Sequence, residues 1–152
     1  MAKFIEGVRL VALQQFHDER GKVMKMLRKD DKNFDKFGEI YFSCIYPGIV
    51  KAWHKHKKMK LNYACISGAV KVVLYDDRNG SKTNGMINEF VMSPENYSLL
   101  TVPPNIWNGF KGIGNQMSTV ANCSTIPHST EEILRAKVDD ESIPYNWDIK
   151  HF

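Results

Sequence analysis

The sequence predicts an all-β protein, and three observations carry that expectation. Short runs of β-branched and aromatic residues recur at even spacing along the chain. Turn formers such as Pro47-Gly48, Asp76-Asp-Arg-Asn-Gly80 and Pro103-Pro-Asn105 separate them. No stretch sustains the 3.6-residue period of a long amphipathic helix. Many short strands joined by regular turns indicate a sandwich or a small barrel.

The elements follow in order. Residues 8–13 read as a strand, Asp18-Glu-Arg-Gly21 as a turn, and residues 21–27 alternate apolar with polar side chains. Residues 28–36 form a charged loop with at most one helical turn. Residues 39–46 are rich in β-formers and stop at Pro47-Gly48. Further strands are expected over 61–66, 69–75, 88–92, 98–102 and 118–123, with Ser93-Pro-Glu-Asn96 as one of the turns between them. The best helix candidate is Ser129-Thr-Glu-Glu-Ile-Leu-Arg-Ala136, about two turns long, with Ser129 or Thr130 as N-cap.

A chain of 152 residues, 43% hydrophobic and 25% charged, suits one globular domain with one substantial core. The net charge of +4 gathers its lysines in one segment and near the N-terminus. That is a local anion site and not a nucleic-acid stripe. Cys44, Cys65 and Cys123 are widely spaced, with no Cys-x-x-Cys, and read as free thiols, the first two buried in apolar strands. Met1-Ala-Lys-Phe-Ile-Glu-Gly7 has no apolar signal core, and no run approaches the roughly 18 apolar residues of a membrane span. A cytoplasmic protein with neither nucleic acid nor membrane as partner is expected.

The most informative segment is Gly48-Ile-Val-Lys-Ala-Trp-His-Lys-His-Lys-Lys-Met-Lys60. In a strand, His54 and His56 at i and i+2 point to the same face. Two imidazoles then enter one cavity, with lysine stems crowding its mouth. Imidazole carries a proton near neutral pH, and ammonium groups attract phosphate. A proton-transfer group beside a phosphate attractor points to chemistry on a phosphorylated or nucleotide-linked small molecule.

Four local motifs resemble one family, the cupin-fold nucleotide-sugar enzymes typified by dTDP-4-dehydrorhamnose 3,5-epimerase. Phe16-His-Asp-Glu-Arg-Gly21 is similar to the family's D-x-R-G turn. Val50-Lys-Ala-Trp-His54 lies where the family has L-R-G-L-H. Val102-Pro-Pro-Asn-Ile-Trp-Asn-Gly-Phe110 resembles I-P-E-G-F-A-H-G-F, and residues 138–147 resemble the W-D-D-P…I-x-W tail. Order and spacing carry the likeness over most of the chain. The resemblance implies a cupin-type double-stranded jelly roll with at most one or two short helices, a homodimer, and a nucleotide-linked 4-keto sugar as substrate.

It also implies roles. His54 matches the family's base. Arg20 matches the arginine that meets the nucleotide phosphates, with Glu19 beside it, and Lys51 and Asn108 stand where the family has arginine and histidine. The family's tyrosine acid belongs to the strand over 118–123, which holds Asn122 and no tyrosine. The aspartate that partners the family's base falls past Phe152. Candidates for the acid are Tyr63, on the strand after the histidines, Tyr41, His56 or a water. Lys51 and Asn108 are candidates to stabilise an enolate, Asn122 to bind substrate, and Trp107, as a loop aromatic, to stack on it. His54-Lys-His56-Lys also resembles the H-A-H-K of sugar-nucleotide 3,4-ketoisomerases. A cupin metal site would add a glutamate after the histidines and a histidine in the second motif; Lys58, Met59, Lys60 and Asn108 stand there instead. No metal and no other cofactor is therefore expected. Asp76-Asp-Arg78 reads as a charged hairpin turn, and His17, His128 and His151 as surface residues. The expected activity is epimerisation of a 4-keto-6-deoxy nucleotide sugar for lipopolysaccharide or a similar glycan, with a 3,4-ketoisomerase or a non-catalytic nucleotide-sugar binder as alternatives.

Overall fold

The computed structural model describes residues 2–149. Twelve strands build it: β1 (Arg9–Ala12), β2 (Gln15–Asp18), β3 (Gly21–Met24), β4 (Glu39–Ile45), β5 (Val50–His56), β6 (Leu61–Ser67), β7 (Val70–Tyr75), β8 (Ile87–Met92), β9 (Ser98–Val102), β10 (Trp107–Gly112), β11 (Ser118–Ser124) and β12 (Ile133–Arg135). Two five-stranded antiparallel sheets face each other, ordered β1-β9-β6-β11-β4 and β12-β5-β10-β7-β8, and β2 and β3 form a separate hairpin. This is the double sheet expected of a jelly roll. Among the described residues there is no helix, and so none long and apolar enough to cross a membrane.

The two inner faces form the main core. Leu61, Tyr63 and Cys65 of β6, Leu100 and Val102 of β9 and Val120 of β11 meet Val70, Val72 and Leu74 of β7 and Phe110 of β10. Each set has the period of two that a pleated strand requires. β7 departs from simple alternation because both of its faces are covered. Val73 and Tyr75 on its outer side pack with Trp53, Ile143, Tyr145 and Trp147. The C-terminal segment thus lies as a strap over the second sheet, with the Trp53 and Trp147 rings 5.1 Å apart and Lys111 Nζ donating to the Trp147 carbonyl at 2.9 Å.

Four local expectations are corrected. Residues 129–136 are not a helix. Their pattern feeds strand β12 at the sheet edge, where backbone pairing with β5 satisfies more groups than two isolated helical turns would. Trp107 is not a loop aromatic but opens β10. Cys44 is exposed on the outer side of β4, whereas Cys65 is buried. Asp76 is also more than a turn residue. It is fully buried and accepts bonds from Arg78, Ser81 and Thr83, which together fold the loop before β8.

One irregularity positions the site. Pairing between β10 and β5 runs Asn108 with His54 and then Gly109 with Ala52, so Trp53 is an extra residue in β5. Without this bulge Lys51 and His54, three apart, would point to opposite faces. With it Trp53 turns outward beneath the strap, and Lys51, His54 and His56 all face inward. Gly109 lies opposite the bulge, where an added Cβ would sit 2.5 Å from the Ala52 Cβ and 3.1 Å from the Lys51 carbonyl oxygen. Gly109→Ala is therefore expected to lower stability by about 1–3 kcal/mol and to reduce activity by displacing Lys51 relative to His54. Chemical denaturation and a turnover assay check this, and wild-type values in both would show that the backbone absorbs the methyl group at no cost.

Candidate functional site

A cavity of about 300 Å³ opens between the two sheets, at the end where β4 faces β5 and β12. From the second sheet come Lys51, His54 and His56 of β5, with Phe110 of β10. The edge strand β12 adds Ile133 and Arg135, and Arg135 pairs in register with His54. From the first sheet come Glu39, Tyr41 and Ser43 of β4, and Tyr63 of β6. His128 stands exposed at the mouth, where its backbone N–H donates to Glu39 Oε2 at 2.7 Å.

The histidines share one wall, as strand alternation requires, but their surroundings differ. His54 is half-buried, and burial, with Arg135, His56 and Lys51 close by, pushes its imidazole down to about 4. Loss of hydration and neighbouring cations both disfavour imidazolium, so His54 is a neutral imidazole at physiological pH. His56 is buried and its Nδ1 bonds Glu132 Oε1. Glu132 Oε2 also accepts the backbone N–H groups of Lys58 and Met59, at 3.0 and 3.2 Å. Burial would raise the Glu132 carboxyl, but these bonds outweigh it and hold the group below its ordinary value. The carboxylate therefore fixes the ring orientation of His56 and pins the turn after β5 to β12.

Two buried amides between the sheets, Asn108 of β10 beside His54 and Asn122 of β11 in the first sheet, have hydrogen bonds that decide what the tyrosines can do. Asn108 gives its amide N–H groups to the carbonyls of His54 (3.0 Å) and Ile106 (3.5 Å). Its Oδ1 accepts the Tyr63 hydroxyl at 2.9 Å. Asn122 accepts the Asn62 backbone N–H at 3.0 Å and donates through Nδ2 to the Tyr41 hydroxyl at 2.8 Å. Asn108 and Asn122, 2% and 1% exposed, thus come one from each sheet and hold the tyrosines, and neither lines the cavity itself. Burial raises the pKa of both Tyr41 and Tyr63, so both are protonated phenols near neutral pH.

The structure gathers His54, His56, Tyr63, Tyr41 and Lys51 at one cavity. It does not bring Trp107 there. Adjacent residues of a strand face opposite ways, and Trp107 is next to inward-facing Asn108. Its ring packs on the outer side, under Lys55 Nζ at 4.7 Å, and its Nε1 donates to Asp77 at 2.8 Å. Arg20 and Glu19 lie at the tip of the exposed β2–β3 hairpin, with Arg20 bonded to Asp18, and neither lines the cavity of its own chain. His17 is on the exposed β2, and His151 lies outside the described residues. Lys51 Nζ donates to the Cys44 carbonyl across the mouth.

Glu132 and Arg135 were missed in the sequence because the segment around them passed for a helix. The available signal was the alternation Glu132, Leu134 against Ile133, Arg135, too short to stand out beside a plausible N-cap. Among the described residues, no group of three or more His, Cys, Asp or Glu side chains is placed to hold a metal ion.

Comparison with known proteins agrees with this architecture. Residues 2–151 match the family described as dTDP-4-dehydrorhamnose 3,5-epimerase. A probable low-salt glycan biosynthesis epimerase of Haloferax volcanii is 34% identical over 93% of this chain and 89% of its own. A spore coat polysaccharide biosynthesis protein of Bacillus subtilis is 32% identical over 94% of this chain and 96% of its own. The crystal structure of a dTDP sugar isomerase from Desulfovibrio desulfuricans superimposes with a TM-score of 0.92 at 44% identity, covering 94% of this chain and 92% of that one. With the jelly roll, the inward histidines and the whole-length match in agreement, the chain belongs to the dTDP-4-dehydrorhamnose 3,5-epimerase family of nucleotide-sugar isomerases.

Proposed function

We propose that the protein epimerises a 4-keto-6-deoxy nucleotide sugar next to its keto group, with His54 as the base and no metal or other cofactor. The observation that carries this reading is His54 itself, a neutral imidazole at the cavity between two cationic side chains, Lys51 and Arg135. A carbonyl acidifies the neighbouring C–H bonds, a neutral imidazole takes the proton, and the electron pair moves onto the carbonyl oxygen as an enolate. Lys51 and Arg135 supply positive charge for that enolate or for the diphosphate. The cavity is at the small end for a ligand site, which suits a sugar ring inside and the nucleotide across the mouth. The glycan and polysaccharide roles of the two relatives support a place in carbohydrate biosynthesis. Free thiols at Cys44, Cys65 and Cys123 suit a reducing cytoplasm.

One feature favours a second reading. His54 and His56 stand on the same wall, the arrangement needed to carry a proton from one carbon to the next along one face of a sugar, as a 3,4-ketoisomerase does. A 3-keto product would identify that activity. Absence of any exchange with 4-keto nucleotide sugars would leave a binding protein.

His54→Asn is expected to lower C–H exchange by about 10²–10⁴-fold while leaving circular dichroism and nucleotide affinity unchanged. Deuterium wash-in from D2O, followed by NMR, checks this. Retained exchange in the variant moves the base to His56 or a tyrosine.

The pH dependence follows from the same residue. The acid limb of kcat/KM reports the free enzyme and is expected near pH 4. That of kcat belongs to the complex and lies higher, because bound diphosphate offsets the charge of Lys51 and Arg135. His54 is lowered in the fold from the roughly 6.5 of a free imidazole. The unfolded chain therefore binds the extra proton, and His54 makes the fold lose stability as pH drops from about 6.5 towards about 4. Two limbs together near 6.5 would show that His54 is not the titrating base.

We propose further that the protein works as a homodimer. Arg20 and Glu19 lie outside their own cavity, on a hairpin with exposed Phe16 and Val23, and β4 exposes Ile40 and Phe42. A phosphate contact by Arg20 then falls in the cavity of the second copy. Sedimentation is expected to show a dimer, and Arg20→Ala to weaken dTDP binding by about 1.5–3 kcal/mol. A monomer whose affinity is indifferent to Arg20 would refute both points.

A further inference from the structure

We infer that Tyr41 is the acid that reprotonates the enolate on the face opposite His54, an assignment that rests on the epimerase reading above. Inversion requires the proton to leave one face of the carbon and return to the other. His54 belongs to β5 in the second sheet, so the returning proton must come from the first sheet. His56 shares the strand and wall of His54 and would give the proton back to the face it left.

The first sheet offers four polar side chains to the cavity: Glu39, Tyr41, Ser43 and Tyr63. Glu39 is engaged at the mouth, where its carboxyl Oε2 accepts the His128 backbone N–H. The Ser43 alcohol is a far weaker acid than a phenol. The two tyrosines are separated by the direction of their hydrogen bonds. Both N–H groups of Asn108 face carbonyls, those of His54 and Ile106, so its oxygen faces Tyr63 and Tyr63 must donate. The Tyr63 proton is committed away from the cavity. Asn122 is oriented the other way. Its oxygen takes the Asn62 backbone N–H, so its N–H faces the Tyr41 oxygen, which must accept. That leaves the Tyr41 O–H to a ligand.

The amide bond does a second service. In the transfer, the O–H bond of Tyr41 breaks as a C–H bond forms at the enolate carbon, and the enolate electron pair makes the new bond while the carbonyl is restored. Tyr41 is left as a phenolate and His54 as an imidazolium; solvent at the mouth returns a proton to the first and takes one from the second. The Asn122 N–H stabilises the phenolate oxygen throughout. Asn122 and Tyr41 are direct cross-strand partners between β11 and β4, so this contact is built into the sheet register. Burial keeps Tyr41 protonated until the enolate forms.

The test separates exchange from inversion. Wild type, Tyr41→Phe and Tyr63→Phe are incubated with a dTDP-linked 4-keto-6-deoxy sugar in D2O, and NMR follows label and configuration at each carbon. Tyr41→Phe is expected to lose inversion by at least about 10²-fold, yet still to wash deuterium into the uninverted substrate through His54. Tyr63→Phe is expected to invert within a few-fold of wild type. Inversion at the wild-type rate by Tyr41→Phe overturns the assignment. So does Tyr63→Phe that exchanges without inverting. Loss of both exchange and inversion in Tyr41→Phe overturns it too, and calorimetric titration with dTDP shows whether binding or folding is the cause. If the wild type neither exchanges nor inverts, the epimerase reading falls with it, whereas an active wild type beside an unimpaired Tyr41→Phe overturns the acid alone.

Discussion

The site depends on the bulge at Trp53. A regular strand would send Lys51 to the face opposite His54, and the cavity would lose its lysine. The extra residue restores the phase, and it is held from three sides. Trp53 exchanges backbone hydrogen bonds with Ala136, at 3.0 Å from its N–H and 3.1 Å to its carbonyl. Its ring is buried against Trp147 and Tyr145. Gly109 leaves room for Ala52 on the neighbouring strand. The strap, the edge strand β12 and one glycine thus fix the spacing of Lys51 and His54 from outside the cavity.

A second constraint is the burial of polar groups that must be satisfied. Asn108, Asn122 and Glu132 are each nearly inaccessible, and each has its hydrogen-bonding groups engaged by named partners. Leaving a buried polar group unpaired costs roughly 1–3 kcal/mol, more if it is charged, so these side chains hold their partners in defined orientations. Through them the fold sets which tyrosine proton faces inward and how the His56 ring is turned. The direction of each tyrosine hydrogen bond is a consequence of core satisfaction.

The walls also differ in electrical character. The second sheet presents His54 with Lys51 and Arg135, while the first presents two phenols, Tyr41 bonded to Asn122 of its own sheet and Tyr63 to Asn108 across from it. A ligand entering this space meets cationic side chains on one wall and phenols on the other. Burial first, and then the neighbouring Arg135, His56 and Lys51, disfavour a proton on His54.

The sequence by itself determined the strand content, nine of the twelve strands at least in part, and the common face of His54 and His56. These follow from local β-propensity and a period of two, which any single strand carries. The tail over 138–147 and the D-x-R-G-like turn were likewise legible as motifs. Only the tertiary structure decided the rest. β12 is too short to announce itself and exists because the edge of β5 offers it hydrogen bonds; with it came Glu132 beside His56 and Arg135 beside His54. Trp107 fell on the outer face and Lys51 on the inner one because register and a bulge, not composition, set the phase of each strand. Which tyrosine hydroxyl donates and which accepts rests on which way two amides are turned by backbone groups up to 60 residues distant. Contacts of that range are invisible to local pattern, since they depend on how separate strands are stacked and which of their polar groups remain to be satisfied.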